Sequence, residues 1–161
     1  MGGMLDKKYD WLDAKTKAVG IMNRLKGVGY YKICGSIRRK KKKVGDIDVV
    51  AILNDRNAFE NSVWETADEM LAIGPQNVRF ISKDIQTDIM VVEPDQFESA
   101  CLHFTGSKFF NIRCRSAAKK MGCTLNEYGL WDKEGNRVEG TELGIISRIG
   151  MKDKYCDPTN R

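Results

Sequence analysis

The sequence predicts an α+β protein, with a mixed sheet and flanking helices followed by a small C-terminal α+β subdomain. Three observations predict it. Apolar residues recur at helical spacing in two segments of the first half, with strand-like apolar runs between and after them. The resulting order of helix, strand, strand, helix, strand, strand builds a mixed sheet with helices on one side. The texture changes at Pro94, where short helices and a hairpin take over. We therefore divide the chain into residues 1–94 and 95–161, a length sufficient for a real core.

The first helix covers residues 10–25, with Trp11, Leu12, Ala18, Val19, Met22 and Leu25 as its apolar positions and Gly27 and Gly29 ending it. A strand at residues 30–34 runs into Gly35-Ser36, and a strong apolar strand follows at residues 46–53. The second helix is expected over residues 58–73, with Phe59, Val63, Ala67, Met70 and Leu71 inward and Gly74-Pro75 as its stop. Strands at residues 78–81 and 85–92 form a hairpin around Lys83-Asp84. A short helix at 96–103 leads through Thr105-Gly106-Ser107 to a helix over 108–121, with Ser107 as N-cap and Gly122 just past its end. On that helix Phe110, Cys114, Ala117, Ala118 and Met121 form an apolar stripe. Ser107, Asn111, Arg115 and Lys119 form a polar one at i, i+4 spacing, which by itself reads more readily as a solvated face than as a binding one. A hairpin around Lys133-Glu134-Gly135 and a helix at 142–149 complete the chain.

Composition excludes several classes. No run approaches the roughly 20 apolar residues of a membrane span, and the start, Met1-Gly2-Gly3-Met4-Leu5-Asp6, lacks a secretory signal. A cytosolic protein without membrane partners is expected, with its cysteines reduced. The five cysteines lack paired C-x-x-C spacing and there is one histidine, which argues against a Cys/His metal site. Net charge is +5, concentrated in six consecutive cations, Arg38, Arg39, Lys40, Lys41, Lys42 and Lys43. Such a run is either a solvated, flexible segment or a grip on an anionic partner.

Chemistry is concentrated in Gly35-Ser36-Ile37-Arg38-Arg39 and Gly45-Asp46-Ile47-Asp48. In a strand, residues i and i+2 share a face, so Asp46 and Asp48 project together. Their repulsion at about 4 Å is roughly 4 kcal/mol at an effective dielectric of 20. A chain tolerates that where a cation compensates, and all-oxygen sites select magnesium or manganese. Asp88, amid apolar residues of a later strand, is the candidate third carboxylate that would hold a second ion. The Gly-Ser turn can offer N–H groups and a hydroxyl to phosphate oxygens, with Arg39 to neutralise them.

Gly-Ser, then Asp-x-Asp about ten residues on, then a lone Asp on a later strand resembles the nucleotidyltransferase superfamily. Phe104-Thr105-Gly106-Ser107, Phe110-Asn111, Arg115, Ala118, Gly122 and Leu125-Asn126-Glu127-Tyr128-Gly129-Leu130 narrow the resemblance to family X DNA polymerases, related to DNA polymerase beta. The ending Tyr155-Cys156-Asp157-Pro158-Thr159-Asn160-Arg161 is similar as well, so the likeness runs over residues 30–161. It implies a beta-polymerase-type nucleotidyltransferase palm and a C-terminal nucleotide-binding, DNA-contacting subdomain. It also implies a two-metal, template-directed DNA polymerase filling short gaps in repair. Asp46 and Asp48 would hold both magnesium ions, with manganese able to substitute. Asp88 would hold the catalytic ion near the primer 3′-hydroxyl, and acceptance of that hydroxyl's proton is not separable from this role.

For the dNTP, the resemblance assigns Gly35, Ser36, Arg39 and Gly45 to the triphosphate, and Phe104, Thr105 and Gly106 to the sugar. Asn111 would reach the minor-groove edge of the base, and Arg115 the template strand. His103 stands where a Tyr is usual, as in small viral members. Gln86 and Met90 replace arginines, the second of which is tied to an open–closed switch, and Val44 replaces a small polar residue. Too few residues precede Tyr30 for the family's lyase and helix-hairpin-helix regions, so lyase activity is not expected. Arg38, Lys40, Lys41, Lys42 and Lys43, with Arg115 and Lys119, would then grip primer-template or gapped duplex DNA. The chain resembles compact viral or phage members, and a monomer in the host cytoplasm is expected. Two rivals remain: a nucleotidyltransferase acting without a template on RNA, protein or a small molecule, and a catalytically idle DNA-binding protein.

Overall fold

The computed structural model describes residues 6–161; residues 1–5, where the sequence reading finds no secretory signal, lie outside the described residues. The chain divides into two compact units, Met1–Val92 and Glu93–Arg161.

The first unit runs β1 (Tyr9–Asp10), α1 (Trp11–Arg24), β2 (Val28–Ile33), α2 (Gly35–Arg38), β3 (Lys43–Val44), β4 (Asp46–Leu53), α3 (Arg56–Thr66), β5 (Glu69–Ile73), β6 (Asn77–Ser82) and β7 (Ile85–Val91). Five of these strands form a mixed sheet in the order β2-β4-β7-β6-β5. β4 and β7 are parallel, and the other neighbours are antiparallel. β1 and β3 make a separate two-stranded ladder. Ile47, Val49 and Ala51 of β4 and Ile85 and Ile89 of β7 cluster with Ala14, Ala18 and Ile21 of α1 and Phe59 and Val63 of α3. Because successive strand residues alternate in direction, Asp46, Asp48, Gln86 and Asp88 face the other side of the sheet. The helices thus bury one face and leave the carboxylates on the opposite one.

Three expectations need correction here. The segment expected as one helix over residues 58–73 is helical only through Thr66, and residues 69–73 are strand β5. Met70 and Leu71 are good helix formers, but Gly74-Pro75-Gln76 turns the chain back so that β5 pairs with β6, and tertiary pairing overrides local propensity. Met70 still packs on the core, whereas Leu71 is exposed. On α1 the buried residues are Ala14, Ala18, Ile21 and Met22, while Leu12 is 67% exposed and Val19 also faces out. The Gly35-Ser36 turn is the start of the four-residue helix α2.

The second unit begins with a 3-10 turn at Pro94–Gln96, then α4 (Phe97–Thr105), α5 (Lys108–Lys120), β8 (Thr124–Asn126), β9 (Gly129–Trp131), β10 (Arg137–Glu139) and α6 (Glu142–Arg148). Two 3-10 turns, Asp153–Cys156 and Pro158–Asn160, follow. The three strands form an antiparallel meander that includes the unforeseen β8. The Ser107 hydroxyl accepts the Phe110 N–H at 3.2 Å, capping α5 as expected. Phe110, Cys114, Ala118, Leu130, Ile145 and Ile146 form this unit's core, whereas Met121, expected on the apolar stripe, is exposed past the last turn. None of the five cysteines is joined in a disulfide, and three of them are buried. Among the described residues no helix is long and apolar enough to cross a membrane.

Candidate active site

The carboxylates sit on the two parallel strands at the middle of the sheet. Register pairs Asp48 with Asp88 and Asp46 with Gln86, so all four side chains share the face opposite α1 and α3. The apolar alternation of β4 fixes this: sliding β4 by one residue would bury the aspartates and expose Ile47 and Val49. Burial and the neighbouring Asp46 and Asp88 push the Asp48 carboxyl up to about 7. Asp46 is also pushed up, by burial first and then by Asp88, against the pull of Arg79, Arg39 and Lys8.

Gly35 makes room for this arrangement. It is buried with φ +59°, and a β-carbon there would overlap Asp48 Oδ2. The Cys34 N–H donates to the Asp48 carbonyl at 2.7 Å, tying α2 to β4. Gly35→Ala is expected to cost about 1–2 kcal/mol through its left-handed backbone and to displace Asp48. Urea melts beside nucleotide-incorporation rates check this; wild-type rates in the folded variant would contradict it.

Two arginines compensate the acidic face. Arg39, in the turn after α2, has its guanidinium pKa lowered by partial burial, while Asp48 and Asp46 pull it back up. Arg79 Nε donates to Asp88 Oδ1 at 2.7 Å from the neighbouring strand β6, and Gln86 Nε2 donates to both Asp88 oxygens at 3.3 Å. Among the described residues no group of three His, Cys, Asp or Glu side chains converges tightly enough to hold a metal ion. The donor chemistry nonetheless fits a hard divalent cation. The set is all oxygen, and in one of its carboxylates ionisation is opposed by burial and two like neighbours.

Beside the carboxylates lies a cleft of about 680 Å³. Ser36, Arg39, Gly45 and Asp46 line it with Gln86, and the cations Lys8, Lys41, Lys42 and Lys43 complete its wall. The basic run is ordered: the Lys40 and Lys41 N–H groups donate to the Ile37 and Ser36 carbonyls at 3.0 Å each, and Lys43 enters β3. Lys40, Lys41 and Lys42 are exposed and Arg38 is half-buried, while Lys43 is ion-paired to Asp10 at 2.7 Å. Val44 is fully buried, which explains an apolar residue at that position.

In the second unit, His103, Asn111, Arg115 and Asn126 line a small cavity. Asn111 Nδ2 donates to the His103 carbonyl at 2.7 Å. Burial holds the His103 imidazole below its ordinary pKa, with Glu127 opposing and Arg115 assisting. Its ring meets Phe104 edge-on at 4.9 Å. Thr105 and Gly106 are buried at the end of α4, where Gly106 adopts φ +67°, and Arg115 and Lys119 are exposed on α5. The expected site residues thus fall into two groups, one in each unit.

Sequence reading missed Arg79 and Lys8. The Arg79 signal was present, because a two-residue turn at Lys83-Asp84 pairs position 79 with 88. Lys8 offered no comparable signal.

A family model described as DNA polymerase beta thumb matches residues 100–161. The chain is 29% identical over 126 residues to the DNA polymerase/3'-5' exonuclease PolX of Bacillus subtilis, an alignment covering 75% of this chain and 21% of that protein. It is 29% identical over 129 residues to the Repair DNA polymerase X of African swine fever virus, covering 73% of this chain and 74% of the viral protein. DNA polymerase lambda of Rattus norvegicus matches at 27% over 132 residues, covering 69% of this chain and 23% of the rat protein. The chain therefore spans about a fifth of the bacterial relative, but about three quarters of the viral one.

Proposed function

We propose that this chain, a member of the family X DNA polymerases, is a template-directed DNA polymerase that adds dNTPs to a primer 3′-hydroxyl and fills short gaps in repair. One observation carries the reading: Asp46, Asp48 and Asp88 share one face of two paired strands beside a cation-lined cleft. In this reading Asp46, Asp48 and Asp88 hold divalent cations, magnesium or in substitution manganese. When bound, these would lower the pKa of the attacking 3′-hydroxyl and neutralise phosphoryl charge.

The chain's own groups do the rest. The Ser36 hydroxyl, the Arg39 guanidinium and the backbone at Gly35 and Gly45 take the triphosphate. Arg79 and Gln86 hold Asp88 in place by hydrogen bonds to its carboxylate, which would be one of the groups holding a cation. Phe104, Thr105 and Gly106 pack on the sugar with His103 beside them, Asn111 reads the base edge, and Arg115 and Lys119 contact DNA. The partners are gapped or primed duplex DNA and dNTPs, met by a monomer.

Primer extension on a one-nucleotide gap, with each dNTP in magnesium and in manganese, tests the reading. Templated addition that disappears in Asp88→Ala supports it; addition without a template, or none by folded protein, overturns it. Replacing Lys40, Lys41, Lys42 and Lys43 with Ala is expected to flatten the logarithmic salt dependence of DNA binding by nearly one unit for each phosphate no longer neutralised. Lys43 should contribute least, because Asp10 already holds it. An unchanged slope would remove the lysine run from the DNA grip.

A further inference from the structure

Lys8 precedes the region of family resemblance, yet it is built into the cleft that holds Ser36, Arg39, Gly45 and Asp46. The chain just after it is fastened on both sides. Tyr9 pairs with Val44 and Asp10 with Lys43 in the β1–β3 ladder. The Tyr9 hydroxyl donates to the Asp84 carbonyl at 3.0 Å, from the turn between β6 and β7. The Trp11 N–H donates to the Lys42 carbonyl at 3.1 Å, and its indole N–H to the Ile37 carbonyl at 2.8 Å. These bonds lay β1 along the basic loop, so that the Lys8 stem passes over Gly45, where a β-carbon would meet its Cγ at 3.9 Å. Lys8 is also close enough to Asp46 to act on its charge. Meanwhile Lys43, the neighbouring cation, is engaged by Asp10, and Val44 offers no polar group.

We propose that Lys8 is a triphosphate-binding residue of this site, supplying from the N-terminal strand a positive charge to the phosphates of the incoming nucleotide. This rests on the polymerase reading above. A lysine ammonium suits the task as a compact charge on a flexible stem that follows a phosphate without demanding bidentate geometry. Its exposure leaves the fold indifferent to its replacement.

The test is equilibrium binding of dATP in calcium without turnover, by calorimetry, to the full chain and to Lys8→Ala and Lys8→Arg, alongside binding of gapped duplex DNA. Lys8→Ala should raise the Kd for dATP about tenfold, as expected when one charge-assisted hydrogen bond to phosphate is removed. Steady-state KM should rise in step at nearly constant kcat, DNA affinity should hold within about twofold, and Lys8→Arg should recover most of the binding. An unchanged dATP Kd in Lys8→Ala overturns the proposal while leaving the polymerase reading intact. A drop in DNA affinity in place of dATP affinity overturns it equally, by placing Lys8 in the DNA grip. Failure of the wild-type chain to bind dATP overturns both.

Discussion

Asp48→Asn should abolish nucleotidyl transfer and at the same time stabilise the metal-free protein above pH 7. In the fold the Asp48 carboxyl titrates at about 7, against an ordinary value of 3.8, because burial and then Asp46 and Asp88 oppose its ionisation. A raised carboxylate pKa means the folded state holds the proton more tightly than the unfolded chain. Its contribution is therefore fully favourable below about pH 4 and is lost as pH rises towards 7. Above that the ionised group costs on the order of 4 kcal/mol. Asn is neutral throughout and removes the slope while keeping the side chain's shape beside Gly35. Urea melts in EDTA at pH 5 and pH 8 should show the variant's gain on wild type growing with pH, small at pH 5 and near its full size at pH 8. Gap-filling rates should fall on the order of a thousandfold, as expected when a group that stabilises transition-state charge is removed. A variant less stable than wild type at pH 8, or one that still extends primers, would contradict this account of Asp48. The pairing of abolished activity with increased stability is what separates a functional carboxylate from a structural one.

Arg161→Met should destabilise the second unit by about 3–5 kcal/mol. The guanidinium is fully buried and ion-paired to Glu142, itself 8% exposed. It also donates from Nε to the Tyr155 carbonyl at 2.7 Å and lies over the Phe110 ring at 5.6 Å. Removing it takes the ion pair from the buried Glu142 carboxylate and loosens the turn Asp153–Cys156 from α6. Lys should not rescue, since a single ammonium cannot reproduce the fork of hydrogen bonds. The double replacement Glu142→Leu with Arg161→Met should recover much of the stability, because a buried pair replaced by apolar volume leaves no uncompensated charge. Urea denaturation of the three variants checks the pattern; a single variant within about 1 kcal/mol of wild type would show the pair to be incidental.

Both effects depend on residues whose legibility in the sequence differs. Asp46, Asp48 and Asp88 stand out against apolar neighbours, because strand alternation makes a polar residue on a buried strand conspicuous. The Lys83-Asp84 turn was equally readable, and with it the register that brings Arg79 to Asp88. Arg161 was legible only as part of an ending similar to family X chains, since nothing local announces that it meets Glu142, 19 residues earlier. Strand β5 was misread because Glu69, Met70, Leu71 and Ala72 favour a helix, and only pairing with β6 decides otherwise.

The sequence by itself determined the element types of the strongly periodic segments, the caps of the long C-terminal helix, and the acidic pair on which the proposed chemistry rests, because these follow from local backbone preference and from the two-residue strand repeat. Tertiary structure alone decided which face of α1 is buried, that residues 69–73 extend the sheet, and that Lys8 enters the basic cleft. Those outcomes rest on interactions between separate segments, whose free energy is realised only when the partners meet.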